Sequence, residues 1–157
     1  MGIFILNRFN GIEKYEISEA IIYAVKKNEN EIMVWLEVET EQEPLQSLPD
    51  TADCKMNPSG EITIYMDNLN LENFGEQEFT ISKGYDEDRN DWVARIYYFE
   101  HQDVNSNILK MKYKGNGIFY IHWTGVTTDI SYYDGSKPNT TIEVFGEFIF
   151  EEYKEWL

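Results

Sequence analysis

Alternation of apolar and polar residues constrains the fold of this chain more than any other feature of its sequence. The clearest example is residues 31–39, whose two faces carry Ile32, Val34, Leu36 and Val38 on one side and Met33, Trp35, Glu37 and Glu39 on the other. Successive side chains of a β-strand point to opposite faces, so this pattern predicts a strand with one buried face. No segment has a convincing helical period.

The same alternation predicts strands along most of the chain. The predicted strands are residues 1–6, 17–25, 31–39, 61–66, 78–82, 92–99, 109–114, 118–124 and 141–150. Residues 27–30 and 115–117 have the length and composition of hairpin turns, because Asn and Gly tolerate the positive φ that tight turns require. Gly146 lies within the last predicted strand and is interpreted as a bulge.

The remaining segments are predicted to be irregular. They are residues 40–60, 85–91, 101–107 and 126–138, while the tail 151–157 either extends the last strand or forms one helical turn. No repeat or linker divides residues 1–157. The prediction is an all-β fold with little or no helix, a single-domain antiparallel β-sandwich or open barrel of about nine or ten strands.

The chain is strongly acidic and also rich in aromatic residues. Its formal net charge is -16, and it contains 4 Trp, 11 Tyr and 9 Phe. An acidic chain poor in aromatics fails to collapse, whereas this one has enough apolar surface to form a core. A folded surface of this charge repels nucleic acid and anionic membranes and attracts cations, so neither of those two partners is expected.

Cysteine usage and the start of the chain suggest a cytoplasmic location. Cys54 is the single cysteine and cannot form an intramolecular disulfide. The apolar start is too short for a secretory signal, and no stretch reaches the roughly 20 apolar residues of a membrane span. We therefore expect a cytoplasmic protein, as a monomer or a homodimer.

The sequence predicts no metal site and no cofactor. Residues 86–91 resemble a calcium loop, but Asp91 stands where such a loop needs Gly and Tyr97 where it needs Glu. His101 and His122 are too few for a zinc site without other ligands at short spacing. A solvated charged loop is the favoured interpretation.

No catalytic motif is present, and the chain is predicted not to be an enzyme. It has neither a Gly-x-Ser-x-Gly elbow nor a phosphate-binding glycine loop. His122 is the remaining candidate, because it shares a strand face with Tyr120, opposite Phe119, Ile121 and Trp123. Carboxylates repeated on one strand face are expected in so acidic a chain, and they define no glycosidase pair.

Residues 28–54 contain eight acids and no Lys or Arg. Large apolar residues stand among those acids, a mixture that protein interfaces favour. The residues predicted to bind a partner are Met33, Trp35, Glu37, Glu39, Glu41 and Glu43, with Tyr132, Tyr133 and Asp134 from a second, tyrosine-rich segment. The alternative is that the loop 40–60 covers Trp35 and makes it part of a second core.

These features favour a non-enzymatic acidic binding protein. The hypothesis is an inhibitor or immunity-type protein that neutralises a basic protein partner such as a toxin. The first alternative is a carbohydrate-binding β-sandwich module, in which Trp35, Trp123, Tyr132 or Tyr133 stacks on sugar rings. A small enzyme with a site near His122 is the second.

Overall fold

The computed structural model describes residues 2–53 and 56–155, and this part of the chain is all-β, as predicted. It contains no helix that is long and apolar enough to cross a membrane. Its strands are β1 (Gly2–Arg8), β2 (Gly11–Asn28), β3 (Glu31–Thr40), β4 (Ser59–Met66), β5 (Glu76–Ile81), β6 (Tyr85–Asp86), β7 (Asp91–Trp92), β8 (Ala94–Tyr98), β9 (Glu100–Asp103), β10 (Asn105–Gly115), β11 (Ile118–Thr127) and β12 (Thr140–Glu155).

Ten of these strands form one sheet, and β6 and β7 form a separate small hairpin. The order across the sheet is β5-β10-β11-β12-β1-β2-β3-β4-β8-β9. The strand pairs are antiparallel with one exception. Beyond Gly2, at the start of β1, the last part of β12 pairs directly and in parallel with β2, from Ile149 opposite Ile21 to Glu155 opposite Lys26. The antiparallel pattern is thus confirmed, and the parallel pairing is an addition that alternation alone does not reveal.

The sheet curls back on itself through residues 100–115, which run almost without interruption as β9 and β10. At one end of this segment, Asp103 pairs with Arg95 of β8; at the other, Asn105 pairs with Val126 of β11. Between them, the amide of Val104 donates a hydrogen bond to the carbonyl oxygen of Ala94 (3.0 Å). The last strand of the order, β9, therefore continues into β10, the second strand of the order, and this continuity gives a rolled sheet.

The inner face of the rolled sheet holds the core. Alternate residues of β3 are buried as predicted, and Trp123, Phe4, Phe119 and Phe148 are among the largest fully buried side chains. In β2 the pairing with β3 shifts between Ile17 and Glu19, so the residues that face inward change from odd to even numbers at this point. This bulge lets one long strand keep contact with the core along its length.

Several segments differ from their predicted structure. Residues 101–107 are not irregular but lie mostly in β9 and β10, and residues 85–91 contribute to the β6–β7 hairpin. The strand predicted at 92–99 is interrupted at Val93 and stops before Phe99, which has a φ of 67°. Polar residues at 101–107 conceal a strand because its side chains lie largely in solvent rather than in the core.

The predicted turns are confirmed, whereas the predicted bulge is not. β2–β3 and β10–β11 are hairpins, and Asn116 and Gly117 at the second turn have φ values of 55° and 72°. Pairing of β12 with β1 and β11 is continuous through Gly146, and the shift lies between Phe150 and Glu152 instead. β12 continues to Glu155, as one interpretation of the tail expects. Cys54 lies outside the described residues.

Arg8, at the end of β1, is buried at one end of the rolled sheet among three carboxylates. Its guanidinium donates to both oxygens of Asp129 (3.0 and 2.9 Å), to both of Asp50 (2.8 Å each) and to one of Glu13 (3.0 Å). A guanidinium has five N–H donors, so these five bonds use all of them. The side chains of Arg8, Glu13 and Asp129 are 0% exposed.

The second oxygen of Glu13 extends this network into the core. It accepts hydrogen bonds from the hydroxyls of Tyr15 and Tyr98 (2.9 Å each), and these hydroxyls are 2.7 Å apart. Burial raises the pKa of both tyrosines above the ordinary value, as does the nearby Glu13 charge. Both side chains therefore stay protonated and remain donors.

Arg8 also fixes two long loops. Asp50 lies in the connection from β3 to β4, and Asp129 lies in the connection from β11 to β12, where it further accepts hydrogen bonds from the Thr140 hydroxyl (2.9 Å) and the Ser131 amide (3.1 Å). One buried cation thus holds both loops against the end of β1.

We expect Arg8→Met to lower the free energy of unfolding by about 3–5 kcal/mol, because it leaves buried carboxylates without their counter-ion. Urea denaturation followed by tryptophan fluorescence measures the loss. Arg89→Met is the matched control, since the Arg89–Glu31 pair is partly exposed and surface pairs contribute little. If Arg8→Met does not fold, the milder Asp50→Asn replaces it. Equal losses at positions 8 and 89 contradict this account.

Acid should weaken the fold through the same network. Hydrogen bonds from Arg8 lower the pKa of Asp50. Burial alone would raise the pKa of Asp129, but hydrogen bonds from Arg8, Ser131 and Thr140 bring that pKa below the ordinary value. Both carboxylates therefore stabilise the fold above the unfolded aspartate pKa of about 3.9, and the stabilisation is lost as the pH falls through the folded values. Stability measured from pH 7 downwards should drop below about pH 4, and less steeply in Asp50→Asn.

Candidate functional site

The outer face of β3 carries four of the residues predicted to bind a partner. Met33 and Trp35 are half-buried and Glu37 and Glu39 are exposed, all on the side opposite the core. The strand alternation therefore orients these four side chains as the sequence predicts. Whether they bind a partner is a separate question.

Trp35 packs against a neighbouring strand rather than standing free. Its ring stacks on Tyr23 of β2 with centroids 4.9 Å apart and an angle of 26° between the planes, and its indole N–H donates to Glu37 (3.1 Å). The connection from β3 to β4, which the alternative hypothesis placed over Trp35, has hydrogen bonds to β1 and β2 at Arg8, Lys14 and Glu16. Trp35 and Tyr23 form a stacked pair on the outer face of the sheet.

The strand order brings further polar residues beside Glu37 and Glu39. Across β3, β4 and β8, Glu37 is level with Glu61 and Arg95, and Glu39 is level with Ser59 and Tyr97. These strands and β9 enclose a shallow cleft of about 190 Å³, here called the acidic cleft, lined by Glu37, Glu39, Ser59, Gly60, Glu61, Arg95, Tyr97 and His101.

Negative charge in the acidic cleft is only partly compensated. Arg95 forms a salt bridge with Glu61 and also lies 5.2 Å from the ring centroid of Trp92. Among the side chains described for residues 2–53 and 56–151, none forms a salt bridge with Glu37 or Glu39. Partial burial raises the pKa of Glu39, and the charges of Glu19 and Glu37 raise it further. A cation that reached Glu39 would relieve this repulsion.

The other predicted residues lie outside the acidic cleft. Glu41 and Glu43 are exposed in the connection after β3, where the amide of Glu41 donates to the carbonyl oxygen of Glu16 (2.8 Å). They are not among the residues that line the cleft. The predicted group at 33–43 is thus split between the sheet face and a loop.

Tyr132, Tyr133 and Asp134 lie in the loop that Asp129 anchors. Tyr132 meets Phe9 edge-on (5.4 Å), Tyr133 is 37% exposed, and Asp134 is exposed. The Tyr133 hydroxyl donates to the carbonyl oxygen of Tyr98 (3.2 Å), the residue that follows Tyr97 of the acidic cleft. The second predicted surface therefore reaches the rim of the first.

The base-free run of residues 28–54 does not form one continuous acidic surface. Glu31 is bound by Arg89 (3.2 and 3.0 Å) and Asp50 by Arg8, and both arginines come from other parts of the chain. Absence of Lys and Arg along a segment says nothing about cations that the fold brings to it. In the described residues, the acids of this run that form no salt bridge are Glu29 in the β2–β3 turn, Glu37 and Glu39 at the end of β3, and Glu41, Glu43 and Asp53 in the connection after it.

Sequence reasoning missed six residues of the acidic cleft, among them four with charged or aromatic side chains, and the whole Arg8 network. Glu61, Arg95, Tyr97 and His101 come from β4, β8 and β9, and only the strand order places them beside β3. One signal was available: Arg95 is the single charge in an otherwise apolar predicted strand. Arg8 and Asp129 are 121 residues apart, and no local pattern connects them.

The alternative candidate residues have other surroundings. Trp123 is 1% exposed and donates to Asn107 (2.8 Å), so its proposed role as an exposed ring for sugar stacking is wrong. His122 lies on the outer face, as predicted, and forms a 2.9 Å contact with Glu143. In the described part of the chain, no group of three or more His, Asp or Glu side chains could hold a metal ion.

The electrostatics of the acidic cleft can be measured directly. We expect Glu39 to titrate above the ordinary glutamate range in side-chain carboxyl NMR spectra, and Glu37→Gln to lower its pKa by removing one neighbouring charge. Glu147→Gln, on another strand, is the control and should leave Glu39 unchanged. A Glu39 pKa at or below the ordinary value would show that the cleft carries no strained negative charge.

Comparison of the chain with family models, curated proteins and solved structures finds no match. No relative or structural neighbour therefore contributes a function, a partner or a set of binding residues. What the chain does has to be argued from its own acidic cleft, stacked aromatic pair and charge.

Proposed function

We propose that this protein binds a basic protein partner through the outer face of β2, β3 and β4, and so acts as a non-enzymatic inhibitor or immunity-type protein. The partner's Lys or Arg side chains occupy the acidic cleft, and its apolar residues contact Trp35 and Met33. A basic toxin is the class of partner that fits, since an inhibitor needs many carboxylates to cover the positively charged surface of such a toxin.

One observation carries this proposal: Glu37 and Glu39 lie uncompensated beside the stacked pair of Trp35 and Tyr23. Interfaces obtain most of their binding energy from aromatic anchors, and their charges steer the encounter. Here both kinds of group lie on one rigid strand face. Bringing a cation to Glu39 also removes a repulsion that the free protein carries.

The overall charge supports the same role. A net charge of -16 attracts a basic partner from a distance and raises the rate of association at low salt. The carbohydrate alternative has less support, because Trp35 stacks on Tyr23 and Trp123 is buried. An enzymatic site near His122 has only the contact with Glu143 in its favour.

The proposal predicts a salt-sensitive complex that depends on the acidic cleft. Affinity capture from the native host, followed by calorimetry with the purified partner, should give a basic protein. Glu37→Gln with Glu39→Gln should weaken binding roughly tenfold, mostly through slower association. Trp35→Ala should weaken it by roughly thirtyfold, as for an aromatic anchor worth about 2 kcal/mol.

Glu76→Gln with Glu151→Gln is the matched control, because it removes the same charge from exposed positions on other strands. This double variant should keep nearly the affinity of the natural chain. Capture of no basic protein, or equal weakening by the two double variants, contradicts the proposal.

A further inference from the structure

The sheet has an unpaired gap between two strands that follow each other in the chain. β4 pairs with β3 along its whole length but with β8 only over residues 59–62. β5 pairs with β10 alone, and in the described residues β4 and β5 are not paired with each other. The end of β4 and one edge of β5 therefore face each other across a gap, here called the β4–β5 slot.

Backbone groups of β4 point into the β4–β5 slot. The amide of Thr63 donates to the carbonyl oxygen of Val93 (2.7 Å), on the side of β4 away from β3. Tyr65, two residues on, directs its N–H and C=O to the same edge, because backbone orientation in a strand repeats every second residue. No strand of the described sheet lies beside Tyr65 on that edge. Unpaired edges of this kind are templates for another strand.

The slot is wide enough to form two adjoining cavities, of about 360 and 510 Å³. They share Tyr65 and Phe79. The first cavity is otherwise lined mainly by residues of β4 and β5, and the second mainly by residues of the β4–β5 connection together with Gln77 of β5. The slot thus runs beside residues 77–81 of β5, about 17 Å for five residues.

Inward-facing side chains of β5 lack the cover that their neighbours have. Phe79 and Ile81 pack on the core but are only half-buried. On the adjacent strand β10, the residues paired with them, Leu109 and Asn107, are 0% and 1% exposed. The difference arises because no strand of the described residues pairs with β5 on its slot side. Apolar side chains added there would bury Phe79 and Ile81 further.

The charges around the slot favour a basic occupant over an acidic one. Its lining includes Asp67, Glu78 and Asp86, and no Lys or Arg. Two of these acids already have a cation nearby: Arg89, which stacks over Tyr65 with its guanidinium 3.4 Å from the ring centroid, pairs with Glu31 and with Asp86 (3.6 Å), and Lys110 lies 3.8 Å from Glu78. Asp67 forms no salt bridge in the described residues, so it is the lining acid that remains for a basic segment. The net charge of -16 opposes a second copy of this chain.

We propose that the β4–β5 slot binds an extended segment of another protein as an added β-strand. The segment carries apolar residues at alternate positions, which pack on Phe79 and Ile81, and Lys or Arg at the intervening, outward positions. Main-chain hydrogen bonds to Tyr65 and to the edge of β5 supply affinity, and the alternate side chains supply specificity. The site uses none of the acidic cleft, so it does not depend on the proposed function.

Selection from a phage-displayed library of random peptides about twelve residues long tests this directly. We expect enrichment of basic peptides with alternating apolar residues. Phe79→Ala should weaken a selected peptide roughly tenfold, by removing apolar contact from the slot. N-methylation of alternate peptide amides should weaken it by a similar factor, because two or three backbone hydrogen bonds are lost.

Two controls separate the slot from other surfaces. Phe9→Ala changes an exposed aromatic elsewhere, and Glu37→Gln with Glu39→Gln changes the acidic cleft; both should leave peptide affinity within about twofold. No enrichment, enrichment of acidic peptides, or binding that tolerates both Phe79→Ala and N-methylation overturns the proposal. So does a dimer of the free protein that Phe79→Ala dissociates, since the occupant is then a second copy.

Discussion

The rest of the structure depends on the five hydrogen bonds of one buried cation, Arg8. Each of its N–H groups has a carboxylate acceptor, and the acceptors come from β2 and from two long loops. A buried charge is tolerated only when it is paired and hydrogen-bonded. Removal of any one carboxylate therefore leaves at least one N–H group of Arg8 without its acceptor. The apolar core stabilises the rolled sheet, whereas Arg8 holds the β3–β4 and β11–β12 connections in place.

Some carboxylates of this acidic chain stabilise its fold, and others remain available for binding. Glu13, Asp50 and Asp129 are structural, since they hold Arg8, and Glu31 holds the β6–β7 hairpin through Arg89. Glu37 and Glu39 have no such task and lie on the outer face of a rigid strand. Net charge therefore overstates how much acidic surface is available for binding. Among the carboxylates that form no salt bridge in the described residues, Glu37 and Glu39 lie on the same strand face as Trp35, which stacks on Tyr23.

Local patterns predicted the parts of this fold that depend on neighbours in sequence. Ile32, Val34, Leu36 and Val38 are buried as their alternation indicates, and Asn116 and Gly117 form the turn expected of them. β9 was missed because its side chains face solvent. For the acidic cleft, only Glu37 and Glu39 of β3 were predicted, because the other lining residues belong to β4, β8 and β9. Which residues lie beside one another across the sheet follows from the strand order. The strand order depends on the whole sheet and cannot be read from a short segment of sequence.

The pairing of β12 with β1, β2 and β11 also affects how the chain reaches its native state. β1 and the first part of β2 can form a hairpin early, but the other edge of β1 has no partner until residues 141–146 have been synthesised. Contacts between such distant residues make folding slow. An incomplete chain on the ribosome therefore exposes a hydrophobic edge for most of its synthesis, and chaperones that recognise such edges have a long time in which to bind it.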